Sequence, residues 1–168
     1  MNLRDYLVPH HIEECLDMLS GWEGRGRLVA GGTDLVSNLE YGKAHAETLI
    51  DISSMEDLMG FEIQDHELVI RAGTTHGQIS ADPRIRQLWP ALAKACGSVG
   101  SPQIRNVATL AGNVVNAQPA ADSAVALVAL GAQAEILSPG ARRLEPIENL
   151  YQGLGQSTID SSREILVT

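Results

Sequence analysis

Two short stretches hold residues whose types and spacing could do chemistry. The first is Ala30-Gly31-Gly32-Thr33-Asp34 and the second is Thr109-Leu110-Ala111-Gly112-Asn113. In both, small side chains leave main-chain N–H groups uncovered, and several such groups pointing one way form a concave anion site that needs no basic side chain. That is the outline of a phosphate cradle. A glycine pair also lets a ligand approach the main chain with no Cβ in the way. Two structural roles compete for the same residues. Thr33 or Asp34 can cap a following helix, and Thr109 and Asn113 can close a turn through their side chains. Net charge of −9, from 12 Lys+Arg against 21 Asp+Glu, argues against a nucleic-acid partner, so an anionic ligand has to be held locally by backbone dipoles.

The two common nucleotide loops do not fit. No Gly-Lys-Ser/Thr ending follows the first stretch, and Gly24-x-Gly26 lacks a third glycine and precedes the strand it should follow. No Ser/His/Asp set, Cys–His pair or carboxylate dyad emerges, so no catalytic residue is assigned. Such silence is expected where a cofactor carries the chemistry and the protein supplies binding and orientation. His10, His11, His45, His66 and His76 show no metal spacing and read as solvated or capping groups, so no metal is expected. Cys15 and Cys96 belong to no C-x-x-C pair and read as core fillers, as do Trp22 and Trp89 on their apolar faces. Arg105 is the only base near the second stretch and reads as solvated. The longest apolar run, Ala124 to Leu130, is far below the ~18 residues of a membrane helix. With no apolar leader at the N-terminus, a cytoplasmic location is expected.

The elements that must position these stretches can be read from periodicity. Ile12, Cys15, Leu16 and Leu19 recur at helical spacing, which predicts a helix over about 10 to 21. Arg27 to Ala30 is a strand that feeds the first stretch, and a helix follows through Leu35 and Leu39. Further strands are expected over Thr48 to Ile52, and a hairpin over Phe61 to Gln64 and Glu67 to Ala72, closing at Asp65-His66. Gly73-Thr74-Thr75 leads into a short helix from His76. Asp82 to Gly97 reads as two helices broken at Pro90. A loop through Gly97, Gly100 and Pro102 leads to the second stretch, here taken as a tight turn, then to a Pro119 to Asp122 corner and a helix from Ala124. Strands at Ala132 to Leu137 and Arg142 to Ile147, a helical turn at Glu148 to Tyr151 and a polar loop over Gly153 to Ser162 come next. Glu164 to Thr168 is an apolar strand that starts and stops, an open edge implying that the native chain continues.

Taken together, several of these segments carry a family resemblance. They are Ala30 to Asp34, Leu49-Ile50-Asp51-Ile52-Ser53, Arg71-Ala72-Gly73-Thr74-Thr75, Gln103-Ile104-Arg105-Asn106, and Thr109 to Asn113 followed by Ala117-x-Pro119-x-x-Asp122. Their order and spacing across the whole chain resemble the FAD-binding (medium) subunit of the molybdenum hydroxylases, as in carbon monoxide dehydrogenase and xanthine dehydrogenase.

The resemblance implies an α+β fold of the vanillyl-alcohol-oxidase (PCMH) type. Two lobes, 1–55 and 56–168, would grip an extended FAD. It implies cofactor contacts from Leu28, Val29, Ala30, Gly31, Gly32, Thr33, Asp34 and Leu35, from Thr109, Leu110, Ala111, Gly112 and Asn113, and from Asp122. The implied function is an oxidoreductase subunit that passes electrons from iron–sulfur centres through FAD to an acceptor such as NAD, quinone or oxygen. Its partners would be a molybdenum-cofactor large subunit and an iron–sulfur small subunit, and the contrasting expectation is a docking module that binds FAD weakly or not at all. Two departures stand out. Ala111 replaces the first glycine of the family's Gly-Gly pair, which requires a negative φ there. The family's C-terminal domain has no counterpart, so the chain reads as truncated.

Overall fold

The computed structural model describes residues 3–118 and 120–168; Pro119, in the expected corner before Asp122, lies outside them. Strands β1 (Asp5–Leu7), β2 (Gly26–Val29) and β3 (Thr48–Asp51) form a parallel sheet in the order β1-β3-β2. Parallel neighbours need crossovers. Helix α1 (Ile12–Gly21) joins β1 to β2, and α2 (Leu35–Glu40) joins β2 to β3. Ile50, on the central strand, sits opposite both Leu7 and Leu28 and is fully buried with Cys15 and Leu19 of α1.

A one-turn 3-10 segment at Glu56–Leu58 leads to the hairpin of β4 (Phe61–Gln64) and β5 (Glu67–Ile70). Asp65 (φ 45°) and His66 (φ 71°) both take the left-handed conformation that a two-residue hairpin loop requires. Short helices then follow, each with a legible start. Thr75 and Gln78 form a reciprocal capping box on α3 (His76–Ala81), and Asp82 caps α4 (Pro83–Leu88). Pro90 opens α5 (Pro90–Ser98), where its missing N–H costs nothing. Ser101 caps α6 (Pro102–Arg105), a helical turn in what periodicity presented as loop. Helices α7 (Leu110–Val115) and α8 (Asp122–Ala129) complete the helical part.

The C-terminal third is mostly antiparallel. β6 (Gln133–Ser138) pairs with β7 (Ala141–Pro146) on one side and with β10 (Ile165–Leu166) on the other. Ile147 leaves the predicted second strand for a 3-10 turn at Ile147–Leu150, because Pro146 ends the ladder. A small hairpin, β8 (Tyr151–Gly153) with β9 (Gln156–Ser157), starts at the end of the expected helical turn and runs into the expected polar loop. One continuous apolar cluster links Cys15 and Ile50 to Leu58, Ile79, Leu92, Cys96, Ile136 and Ile165. This is an α+β fold, as expected. Among the described residues no helix is long and apolar enough to cross a membrane.

Candidate functional site

The first loop leaves β2 at Val29, whose carbonyl accepts from the Ile52 N–H at 2.9 Å, and it ends where the Val36 N–H reaches the Gly32 carbonyl at 3.0 Å. Between those points the amides of Gly31, Gly32, Thr33 and Asp34 find no acceptor among the described residues. Asp34 occupies the N-cap position of α2 but its side chain makes no capping bond, and the Thr33 hydroxyl has no partner among the described residues. The capping role that competed for these two side chains is therefore not taken up. Gly32 holds φ +67°, a conformation an L side chain rarely adopts. Gly31 is required for a different reason: a Cβ there would lie 2.0 Å from the Val107 carbonyl oxygen. Main chain of the first loop rests directly on main chain entering the second.

That second segment is pinned from below. Thr109 bridges Thr75, the Leu110 N–H donates to the Thr74 carbonyl at 3.0 Å, and the His76 N–H donates to the Ala108 carbonyl at 3.0 Å. Thr109 to Asn113 is not a tight turn but the capped start of α7, with Thr109 Oγ1 accepting from the Gly112 N–H at 3.0 Å. The tertiary bridge sets the N-cap, and the run Leu110 to Val115 then has nothing to stop it turning helical. Ala111 lies inside that helix and is absent from the positive-φ positions, so its methyl is tolerated there. Its N–H has no acceptor among the described residues. Asn113 Oδ1 accepts from the hydroxyl of Ser123, a fully buried residue of α8, at 2.6 Å.

The two loops form facing walls of one cleft of about 440 Å³. All of Leu28 to Leu35 lines it, together with Thr109, Ala111, Gly112 and Asn113. Two expected residues stand elsewhere. Leu110 is buried in the core, and Asp122 is exposed at the first position of α8, accepting from the Ser98 hydroxyl at 3.0 Å. The cleft gains Asn38, Asn116 and Glu164, none of which the sequence singled out, and apolar lining from Ile52, Val99, Ile104, Ile165 and Leu166. Glu164 is held by a bidentate pair with Arg143 at 2.5 and 2.9 Å.

His76 corrects its sequence reading. It is no solvated group but a fully buried imidazole among the cleft residues, carried inward because its own N–H joins the bridge at Ala108. Neither ring nitrogen has a partner among the described residues. Burial, reinforced by the Arg105 guanidinium, pushes its pKa down to about 4, so the ring is neutral near pH 7. Arg105 is likewise not merely solvated, since its guanidinium donates to the Val99 and Gly100 carbonyls at 2.9 Å each. Cys15 and Cys96 are buried and free, their thiols pushed up to about 12 by burial.

Comparison with known proteins gives the family. The family model described as the FAD binding domain in molybdopterin dehydrogenase matches residues 1–168. The xanthine dehydrogenase FAD-binding subunit of Escherichia coli O157:H7 is 36% identical over 144 residues, which are 85% of this chain and 49% of that protein. The carbon monoxide dehydrogenase medium chain of Hydrogenophaga pseudoflava is 26% identical over 163 residues, 97% of this chain and 56% of its own length. The solved carbon monoxide dehydrogenase from Hydrogenophaga pseudoflava superposes with a TM-score of 0.92 at 26% identity, covering 98% of this chain and 57% of that one. A carbon monoxide dehydrogenase from Oligotropha carboxidovorans gives 0.90 at 28% identity, over 97% of this chain and 57% of that one. The chain thus spans about half the length of the relatives it matches. With a family model matching from end to end and a medium-chain fold reproduced around the cleft, the chain belongs to the FAD-binding domain family of the molybdopterin dehydrogenases.

Proposed function

We propose that the cleft holds FAD, with its diphosphate between the two loops, and that the chain serves as the flavin-binding part of a molybdenum hydroxylase-type oxidoreductase. One observation carries this reading: Gly31 to Asp34 and Ala111, whose amides find no acceptor among the described residues, line the same cleft as Asn113, whose Nδ2 has no partner among them. The donor set suits a dianionic group, because uncharged N–H donors replace water at each oxygen without requiring a lysine or arginine. The apolar lining from Val99, Ile104 and Leu166 suits a planar ring system. When bound, FAD would supply the exchange between one-electron and two-electron carriers.

The chain's own residues would bind, orient and exclude water. Gly31 brings the two loops into contact, Thr33 and Asn113 offer further donors, and neutral His76 adds no charge beneath the cleft. Residues 1–55 and 56–168 would act as two lobes gripping the cofactor. Leu110 and Asp122, expected at the site by resemblance, would act from outside the cleft walls. Electrons would enter from an iron–sulfur small subunit, supplied by a molybdenum-cofactor large subunit, and leave to NAD, quinone or oxygen in the cytoplasm. The names of the relatives, FAD-binding subunit and medium chain, support that assignment.

The test is to load the purified chain with FAD and remove the excess. The retained flavin is then reduced chemically without oxygen, and NAD, a soluble quinone and oxygen are offered in separate samples. Re-oxidation of retained flavin by one of them supports the reading; a chain that retains flavin yet returns electrons to none of them contradicts the electron-transfer part.

A further inference from the structure

Ser123 follows Asp122 on α8, lies outside both loops, and is fully buried, yet its hydroxyl reaches Asn113 Oδ1 at 2.6 Å. A serine hydroxyl has one proton to donate, and a carboxamide has one acceptor arm and one donor arm. With Oδ1 turned to Ser123 the proton is used, and Nδ2 becomes the arm left over at a residue that lines the cleft. If the carboxamide were flipped, Nδ2 would donate to the serine oxygen. The serine proton would then be buried with no acceptor among the described residues, and a carbonyl oxygen would be offered to the cleft. Stranding a buried donor costs more than the bond itself contributes, so the flip is disfavoured twice.

We infer that Ser123 is a positioning residue: its hydroxyl locks the Asn113 carboxamide in the one orientation that presents an N–H donor, rather than an oxygen, to an anionic ligand in the cleft. The inference rests on the reading that this cleft takes the anionic part of FAD. It assigns the α8 start a role in ligand polarity that its distance from the loops in sequence conceals.

The experiment is a double-mutant cycle on the full chain, read as FAD affinity by quenching of flavin fluorescence, with thermal unfolding of each variant alongside. Ser123→Ala is expected to weaken FAD about five- to tenfold, the usual scale for one hydrogen bond. Asn113→Ala should weaken it at least as much, and the double variant should be no worse than Asn113→Ala alone. Asn113→Asp keeps an acceptor for Ser123 but offers the cleft a negative oxygen, so it should bind FAD more weakly than Asn113→Ala while staying folded. The Asn113 side-chain amide resonances of the isotope-labelled wild type should move on FAD addition, and fail to move in Ser123→Ala; a purely structural serine would not produce that difference. Additive losses, or a Ser123→Ala affinity equal to wild type, overturn the inference and leave the FAD reading standing. A wild type that shows no saturable FAD binding overturns both.

Discussion

Replacing Gly31 by alanine tests the contact that brings the two loops together. The added Cβ would sit 2.0 Å from the Val107 carbonyl oxygen and 2.6 Å from its carbon. That is roughly 1.5 Å short of the ~3.5 Å at which such atoms rest. The obstacle is main chain, which cannot rotate away as a flexible side chain could, so the loops must part. Overpacking of this kind costs about 1–3 kcal/mol, and a backbone obstacle puts Gly31→Ala at the top of that range, about 3 kcal/mol. For a chain of this size the loss corresponds to a melting temperature lower by about 6–12 °C. Two other glycines calibrate the measurement. Gly21 ends α1 with nothing within 4 Å of a built Cβ, so Gly21→Ala should be neutral or stabilising by about 0.5 kcal/mol. Gly42 has open space but φ +69°, so Gly42→Ala should lose only the left-handed penalty, about 1 kcal/mol. Gly31 has no positive φ, so its loss would be steric alone. The assay is urea unfolding followed by tryptophan fluorescence, with an FAD titration of each folded variant. Gly31→Ala should be the least stable and bind FAD most weakly. If it unfolds with Gly42→Ala and binds FAD like wild type, the loops do not meet through Gly31 and the described cleft is wrong.

Acid stability should carry the signature of His76. The unfolded imidazole takes its proton near pH 6.5 and the folded one only near 4, so between these values the unfolded state holds more proton. Stability should therefore fall as pH drops from about 6.5, by about 3 kcal/mol in all by pH 4. His76→Leu should flatten that part of the profile in denaturant titrations at stepped pH, and an unchanged slope would count against the buried neutral ring. Thr109→Ala removes the hydroxyl that caps Gly112 and should lower the urea midpoint by the equivalent of about 1 kcal/mol; no change would mean the cap is idle. Cys15 and Cys96 should resist a thiol reagent at pH 8 until denaturant is added, since burial holds both in the protonated form. Prompt labelling of the folded chain would contradict their burial.

Most strands and helices were legible because local signals agree with tertiary packing, whereas β1 and the β8–β9 hairpin are too short for alternation to show. Pro90 ended one helix and opened the next, Asp65-His66 closed a hairpin, and the Thr33-Asp34 segment followed its strand as the pattern required. The sequence presents the second loop as a turn because Thr109 becomes an N-cap through its bridge to Thr75, a contact 34 positions away that leaves no mark in local periodicity. The same bridge explains His76. A histidine after Thr74-Thr75 looks exposed until its N–H is seen bonded to Ala108 and its ring sealed beneath the cleft. Asn38 lies four positions after Asp34 and Asn116 three after Asn113, helical spacings that follow from the two loops, whereas Glu164 comes from a distant segment that no spacing rule connects to either. For Val99 and Ile104 a signal did exist, since both flank the Gly100 to Pro102 segment leading into the second loop.

The most direct measurement is the visible absorbance spectrum of the purified chain, taken after incubation with FAD and removal of the excess. The site described here predicts a flavin band that survives desalting at about one FAD per chain, and that weakens in Gly31→Ala. A chain that stays colourless at high FAD would contradict the claim that these two loops form the cofactor site.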